Sequence, residues 1–140
     1  MMTDVFTPEK RKWIMGRVRS RNTAPELVVR SVIHRMGFRF RLHVRDLPGV
    51  PDIVMPKHRK AVFVNGCFWH AHPGCPRAAL PKTNAGFWER KISGNAERDG
   101  RNMEAMKSLG WDVLVVWSCE VRRPEVLLTK LSHFLLGGPG

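Results

Sequence analysis

The sequence predicts a single α/β domain, a mixed β-sheet flanked by helices, and three features predict it. Asp52-Ile-Val-Met55 and Ala61-Val-Phe-Val64 are strand-like runs on either side of the turn Pro56-Lys-His-Arg-Lys60, the pattern of an antiparallel hairpin. A stretch of helical character then extends from about Ala85 to Leu109. After it, Trp111-Asp-Val-Leu-Val-Val-Trp117 is nearly continuous in apolar residues, as in a strand buried on both faces. Strand, crossover helix and strand join with right-handed geometry, so the third and fourth strands are predicted to be parallel neighbours.

The elements follow in order. Thr7-Pro8 supplies an N-cap and a proline at the first helical position, predicting a short basic helix to about Val18. Thr23-Ala-Pro-Glu26 has capping-box spacing. The helix it opens carries Val28, Val29, Val32, Ile33 and Met36 on one face and stops at Gly37. Phe38-Arg-Phe-Arg41-Leu42 alternates as a half-exposed strand. A hairpin centred between His58 and Arg59 sets Asp52 roughly opposite Asn65. Gly94 and Gly100 weaken the long helix, which ends at Gly110, and a last helix spans Pro124 to about Leu136. The predicted order is α, α, β, β, β, α, β, α. Residues 1–22 are predicted to form a basic N-terminal helix, 23–136 the main domain, and 137–140 a disordered tail.

Charge narrows the function. Twenty-four Lys and Arg face twelve acids, a formal charge of +12 spread along the chain. Such an excess repels itself in the folded state and suits a polyanion that releases counterions on binding. Nucleic acid is the expected partner; a merely basic or ribosome-associated domain is the alternative. No apolar run approaches the roughly 18–20 residues of a membrane span, and Met1 to Thr7 lacks the apolar core of an export signal. The expectation is a cytoplasmic, nucleoid-associated protein with no membrane partner.

Metal ligands crowd one stretch. Asn65-Gly-Cys67-Phe-Trp69-His70-Ala-His72-Pro-Gly-Cys75 holds two Cys and two His, and Cys119 stands after the fourth strand. Three cysteines make no closed disulfide framework, whereas structural Zn²⁺ takes four thiolate or imidazole ligands. Parallel third and fourth strands bring Cys67 and Cys119 together. Of the two histidines, spacing favours His72, because the Pro73-Gly74 turn folds Cys75 back beside it. The alternative is buried thiols and surface histidines.

Asp52 follows the rigid Pro48-Gly-Val-Pro51 loop and opens an otherwise apolar strand. A carboxylate there suits Mg²⁺, which prefers oxygen donors, but taken alone it reads more readily as a cap of its own turn. Trp88, Ile92, Asn95, Ala96, Asp99, Met103 and Met106 share one face of the long helix. Two polar groups in that stripe need either partners or a site. Glu26 is either a capping-box acid or a residue facing the site.

Together, Pro51-Asp52, Asn65-Gly-Cys-Phe-Trp-His70, Phe87-Trp88-Glu89-Arg-Lys-Ile92, Asn95-Ala-Glu-Arg-Asp99 and Gly110-Trp111 resemble the very short patch repair (Vsr) endonucleases. The similarity extends from about Lys10 to about Leu135 with the blocks in order. It implies a restriction-endonuclease-like core with a structural zinc site. It also implies a Mg²⁺-dependent nick 5′ of the thymine in a T·G mismatch, the product of 5-methylcytosine deamination. Asp52 matches the Mg²⁺-binding aspartate, and a second metal contact falls on the backbone carbonyl of Val64. His70 matches the residue that activates water, with Glu26 and Asp99 as supporting catalytic residues. Cys67, His72, Cys75 and Cys119 match the zinc ligands. Phe68, Trp69 and Trp88 match aromatic wedges pushed between base pairs, and Met15 enters from the other groove. Asn65, Asn95, Lys12 and Arg17 complete the DNA-binding set, with Lys10, Arg11, Arg19 and Arg21 as further phosphate contacts.

Val64, Asn65 and Gly66 stand where many nucleases of this fold place a second acid and a lysine, and His70 makes that absence intelligible. A neutral imidazole accepts a proton near pH 7 without the lysine. The resemblance implies a monomer acting on double-stranded DNA, with downstream repair proteins as further partners. Two other readings compete: a restriction-type endonuclease of the same fold cutting matched DNA, and a non-catalytic zinc-dependent DNA-binding module.

Overall fold

In the computed structural model, which describes residues 23–137, helix α1 (Ala24–Arg35) begins at Thr23, whose Oγ1 accepts the Glu26 N–H at 3.3 Å. Pro25 falls in the first turn, where a missing N–H costs nothing. Val29 and Ile33, one turn apart, are fully buried, while Val28 is exposed, so the apolar stripe is narrower than predicted. The predicted strand from Phe38 is mostly unpaired chain. Phe38 and Phe40 pack against the core, but only Arg41–Leu42 forms strand β1, with Arg41 paired to Val54.

Strands β2 (Ile53–Met55) and β3 (Lys60–Asn65) form the predicted antiparallel hairpin. Its turn is a 3₁₀ segment, Pro56–His58, closed by Arg59 in left-handed backbone at φ 52°. That geometry pairs Ile53 with Val62 and moves the centre one residue earlier than predicted. Asp52 therefore lies beside Phe63 and Val64, not opposite Asn65. The pairing slips by two residues, an even number, which keeps each side chain on its predicted face.

Helix α2 (Ala85–Ser108) runs unbroken through Gly94 and Gly100, then crosses over to β4 (Asp112–Trp117), parallel to β3 as predicted. The sheet order is β1-β2-β3-β4, which leaves β4 at an edge. Its apolar run is explained by cover on both faces. Leu114 and Val116 join a cluster with Val29 and Ile33 of α1 and Leu127, Leu131 and Leu135 of helix α4 (Pro124–Leu136). Val113 packs on the other face with Val54, Ala61 and Met106 of α2. Each fully buried Ile or Leu contributes about 1.5–3 kcal/mol to this sandwich.

A short helix that the sequence reading lacks, α3 (Ser118–Val121), turns the chain sharply after β4. The Glu120 carboxylate accepts the Trp117 N–H at 2.8 Å and is held by Lys130 at 2.8 Å. This turn sets Cys119 over the end of β3. Among the described residues, no helix is long and apolar enough to cross a membrane. The predicted first helix, with Lys12, Met15 and Arg17, and residues 138–140 lie outside the described residues.

Candidate active site

The sheet topology gathers the predicted residues at one end. Asp52 enters β2 from the Pro48–Pro51 loop, in which Gly49 adopts φ +75° and lies close against Asn102 of α2. A Cβ at Gly49 would approach the Asn102 side chain to 3.0 Å, so this close contact of loop and helix suits glycine alone. One Asp52 oxygen accepts the Val64 N–H at 2.7 Å. In an extended strand a residue's N–H and C=O face the same neighbour, so the Val64 carbonyl is turned toward Asp52 as well. Burial pushes the Asp52 carboxyl up to about 7, with the Glu26 charge adding to the rise; the Val64 N–H, His70 and Arg30 oppose it. A half-buried carboxylate that keeps its proton to about pH 7 is one whose ionisation a cation would favour.

Glu26 is buried and serves more than its helix. The Thr23 cap is present, but the Glu26 carboxylate turns to Arg30, whose Nε donates at 3.1 Å, and to His43 Nε2 at 2.8 Å. His70 sits in the loop after β3, where its N–H donates to the Gly66 carbonyl at 3.1 Å. Its Nδ1 meets Asp99 Oδ2 on α2 at 2.5 Å, so Nε2 is the nitrogen left for the cleft. Glu26, Asp52, Val64, His70 and Asp99 line one cavity of about 490 Å³, with Arg98 at its wall.

The four sulfur and nitrogen candidates also converge. One ligand atom each from Cys67, His72, Cys75 and Cys119 lies within 4.8 Å of the others, a set that could hold a metal ion. Cys119 Sγ stands 3.5 Å from His72 Nδ1, and the His72 ring stacks on Trp117 with centroids 4.2 Å apart. Ser118 braces the site, accepting the Cys67 N–H at 3.2 Å while its hydroxyl donates to Cys67 Sγ at 3.3 Å. Burial, with Cys67 and Cys75 alongside, pushes the Cys119 thiol up to about 11. Burial also opposes ionisation of Cys67, but hydrogen bonds from Ser118 and Cys119 outweigh it and bring that thiol down. Three crowded sulfurs cannot all ionise without a cation, and soft thiolate and imidazole donors suit a soft or borderline metal ion.

The aromatic residues form a ridge beside the cleft. Phe68 meets Trp69 and Trp88 edge-on at 5.1 and 5.5 Å, and Phe87, half exposed, meets Trp88 at 5.2 Å. Asn95 is buried under this ridge and its amide donates to the Trp69 carbonyl at 3.0 Å. Asn65 is buried on the cleft floor. The sequence reading missed His43, Ser118 and Trp117. For Ser118 and Trp117 the signal was adjacency to Cys119; for His43 it was the unassigned β1–β2 pairing.

The model of the family described as DNA mismatch endonuclease Vsr matches residues 3–76. The chain belongs to the Vsr family. It is 49% identical over 134 residues to the type II nicking enzyme V.XorIIP of Xanthomonas oryzae pv. oryzae, covering 96% of this chain and 98% of that one. It is 40% identical over 141 residues to the DNA mismatch endonuclease Vsr of Escherichia coli, covering 97% and 90% of the two chains. Among solved structures, the catalytic domain of the homing endonuclease I-Bth0305I superposes with a TM-score of 0.52 at 20% identity, over 83% of this chain and 97% of that one. That likeness concerns the fold, a nuclease α/β core. The Vsr-family chain is thus a DNA endonuclease, and its charge of +12 matches a DNA substrate.

Proposed function

We propose that this endonuclease nicks one strand of duplex DNA on the 5′ side of the thymine in a T·G mismatch, using Mg²⁺, and so initiates very short patch repair. The single observation behind this reading is the convergence of Asp52, Val64, His70 and Asp99 on one cleft beside an aromatic ridge. Relatives bearing the names mismatch endonuclease and nicking enzyme agree with single-strand cleavage.

Asp52 and the Val64 carbonyl would hold Mg²⁺, which supplies polarisation of the scissile phosphate and stabilisation of the leaving oxygen. His70 Nε2 takes a proton from the attacking water, while Asp99 fixes the tautomer and orientation of the ring. Glu26 positions these groups from below. Cys67, His72, Cys75 and Cys119 hold a structural Zn²⁺ that ties the His70 loop to α3. The Phe68–Trp69–Trp88 ridge wedges between base pairs, at a cost of a few kcal/mol per unstacked step. A mismatch is already weakly stacked and costs less, which is the source of selectivity. The protein acts as a monomer, and the nicked product passes to downstream repair proteins.

Asp99→Asn removes the negative partner of His70 but keeps its shape. The turnover rate falls by about 10- to 100-fold, less than the full worth of a general base, while DNA affinity and melting temperature stay unchanged. Phe68→Ala weakens binding to a T·G duplex by about tenfold or more, because a stacked aromatic contributes about 1–3 kcal/mol per base. Fluorescence anisotropy with mismatched and paired duplexes measures it.

The reading is tested by nicking of end-labelled duplexes with and without Mg²⁺. A Mg²⁺-dependent cut 5′ of the mismatched thymine alone supports it. Cleavage of a fully paired duplex favours the restriction-type alternative, and tight binding without cleavage favours a non-catalytic zinc module.

A further inference from the structure

His43 has no part in the account above, yet it sits beside its metal-binding carboxylate. It follows β1 directly, and its N–H donates to the Asp52 carbonyl at 3.1 Å, extending the β1–β2 ladder beyond the Leu42–Ile53 pair. The imidazole is thereby held next to Asp52. Its side chain is only 11% exposed, and Nε2 lies 2.8 Å from Glu26 Oε2. A single ligand atom from each of Glu26, His43 and Asp52 lies within 4.8 Å of the other two. Donors around one divalent ion with bonds of about 2.0–2.4 Å stand about 3–4.8 Å apart, so one ion can touch all three. The cavity lined by His43 shares Asp52, Val64, Asn65, His70 and Asp99 with the cavity lined by Glu26. The imidazole and the Glu26 carboxylate thus approach Asp52 within one continuous cleft.

The charges are compatible with a cation. Glu26 and Asp52 carry two negative charges when ionised, and Arg30 on Glu26 offsets one. Asp99 adds a third acid to the cleft, and Arg98 and Arg45 line its walls, so a cation there is held by the three donors themselves and not by a net negative field. A nitrogen among the donors changes which ion fits best. Mg²⁺ favours oxygen and binds imidazole poorly, whereas first-row transition ions accept a nitrogen donor, Mn²⁺ weakly and Co²⁺ more strongly.

We propose that His43, with Glu26 and Asp52, is a nitrogen ligand of the divalent ion in the cleft, giving this centre a preference for Mn²⁺ or Co²⁺ over Mg²⁺. The inference rests on Asp52 as the anchor of that ion.

The test is Mn²⁺ titrated into the zinc-loaded full chain and followed by electron paramagnetic resonance. The free-ion signal gives affinity, and pulsed spectra report nitrogen coupling from a bound imidazole. The wild type shows that coupling. His43→Gln loses it and weakens Mn²⁺ binding by about tenfold or more, with a much smaller change for Mg²⁺. His70→Gln keeps the coupling. His43→Asn replaces His43→Gln if the latter melts early. Absence of coupling in the wild type, or its loss in His70→Gln instead, overturns the proposal. So does wild-type Mn²⁺ binding in His43→Gln, the result if His43 merely orients Glu26. If Asp52→Asn abolishes Mn²⁺ binding while His43→Gln retains it, only the role of His43 fails. Unchanged Mn²⁺ binding in Asp52→Asn overturns the anchor itself.

Discussion

Asp52→Asn lowers the nicking rate by at least about 10³-fold, yet its zinc-loaded, Mg²⁺-free form is more heat-stable than the wild type at pH 8. Both effects have one cause. Charge stabilisation by a catalytic ion contributes several kcal/mol to a transition state, and the neutral amide cannot anchor that ion. The same amide keeps an oxygen for the Val64 N–H and has no charge to bury. In the wild type, burial raises the Asp52 carboxyl from 3.8 in the unfolded chain to about 7 in the folded one. The folded protein therefore holds a proton that the unfolded chain releases. Stability is highest below pH 4 on this account and falls as pH rises through the window to about 7. The displacement corresponds to about 4 kcal/mol at most. Melting curves of zinc-loaded, Mg²⁺-free protein between pH 5 and 8 should decline in the wild type and stay flatter in Asp52→Asn. With DNA bound, the competition between proton and metal appears in the rate. At subsaturating Mg²⁺, nicking rises about tenfold per pH unit toward pH 7 and then levels. DNA affinity changes only a few-fold, because the basic surface and aromatic ridge are untouched. An equal loss of binding would show that Asp52 supports the fold or the interface instead.

Cys67→Ser or Cys119→Ser abolishes cooperative folding. A structural zinc site contributes about 10–16 kcal/mol of apparent binding energy, comparable with or larger than the whole stability of a domain this size. The ligands also join distant parts of the chain. Cys67, His72 and Cys75 come from the loop after β3, and Cys119 comes from α3 after β4. Loss of such an ion would free the segment that carries Phe68, Trp69 and His70. Purified wild type should hold one Zn²⁺ per chain, and a strong chelator should remove it together with the thermal transition. Soluble, zinc-free variants that melt and nick like the wild type would contradict the assignment.

Much of this site was legible in the sequence because its residues sit at the ends of strongly patterned elements. The parallel pairing of β3 with β4 followed from a strand, a long helix and an apolar strand, and it alone predicts that Cys67 meets Cys119. The share of a helix face held by Asn95 and Asp99 was visible as polar interruptions in an apolar stripe. Their partners, the Trp69 carbonyl and His70, were not fixed by periodicity, since a loop conformation decides them. The hairpin register was missed because a 3₁₀ turn closed by left-handed Arg59 has no distinctive signature in Pro-Lys-His-Arg-Lys. β1 was overextended because Phe38 and Phe40 alternate correctly but pack on the core without a ladder partner. His43 was invisible for a related reason. Its importance depends on being opposite Asp52, a pairing between two short segments joined by an irregular loop.

The most direct measurement is the ratio of single-turnover nicking rates on two duplexes that differ only in T·G against T·A at one position. A ratio of about 100 or more is expected, since a saving of roughly 3 kcal/mol in unstacking corresponds to that factor. The cut should fall on the thymine strand, at the 5′ side of that thymine. A ratio near one, or cuts on both strands, would contradict mismatch-directed nicking.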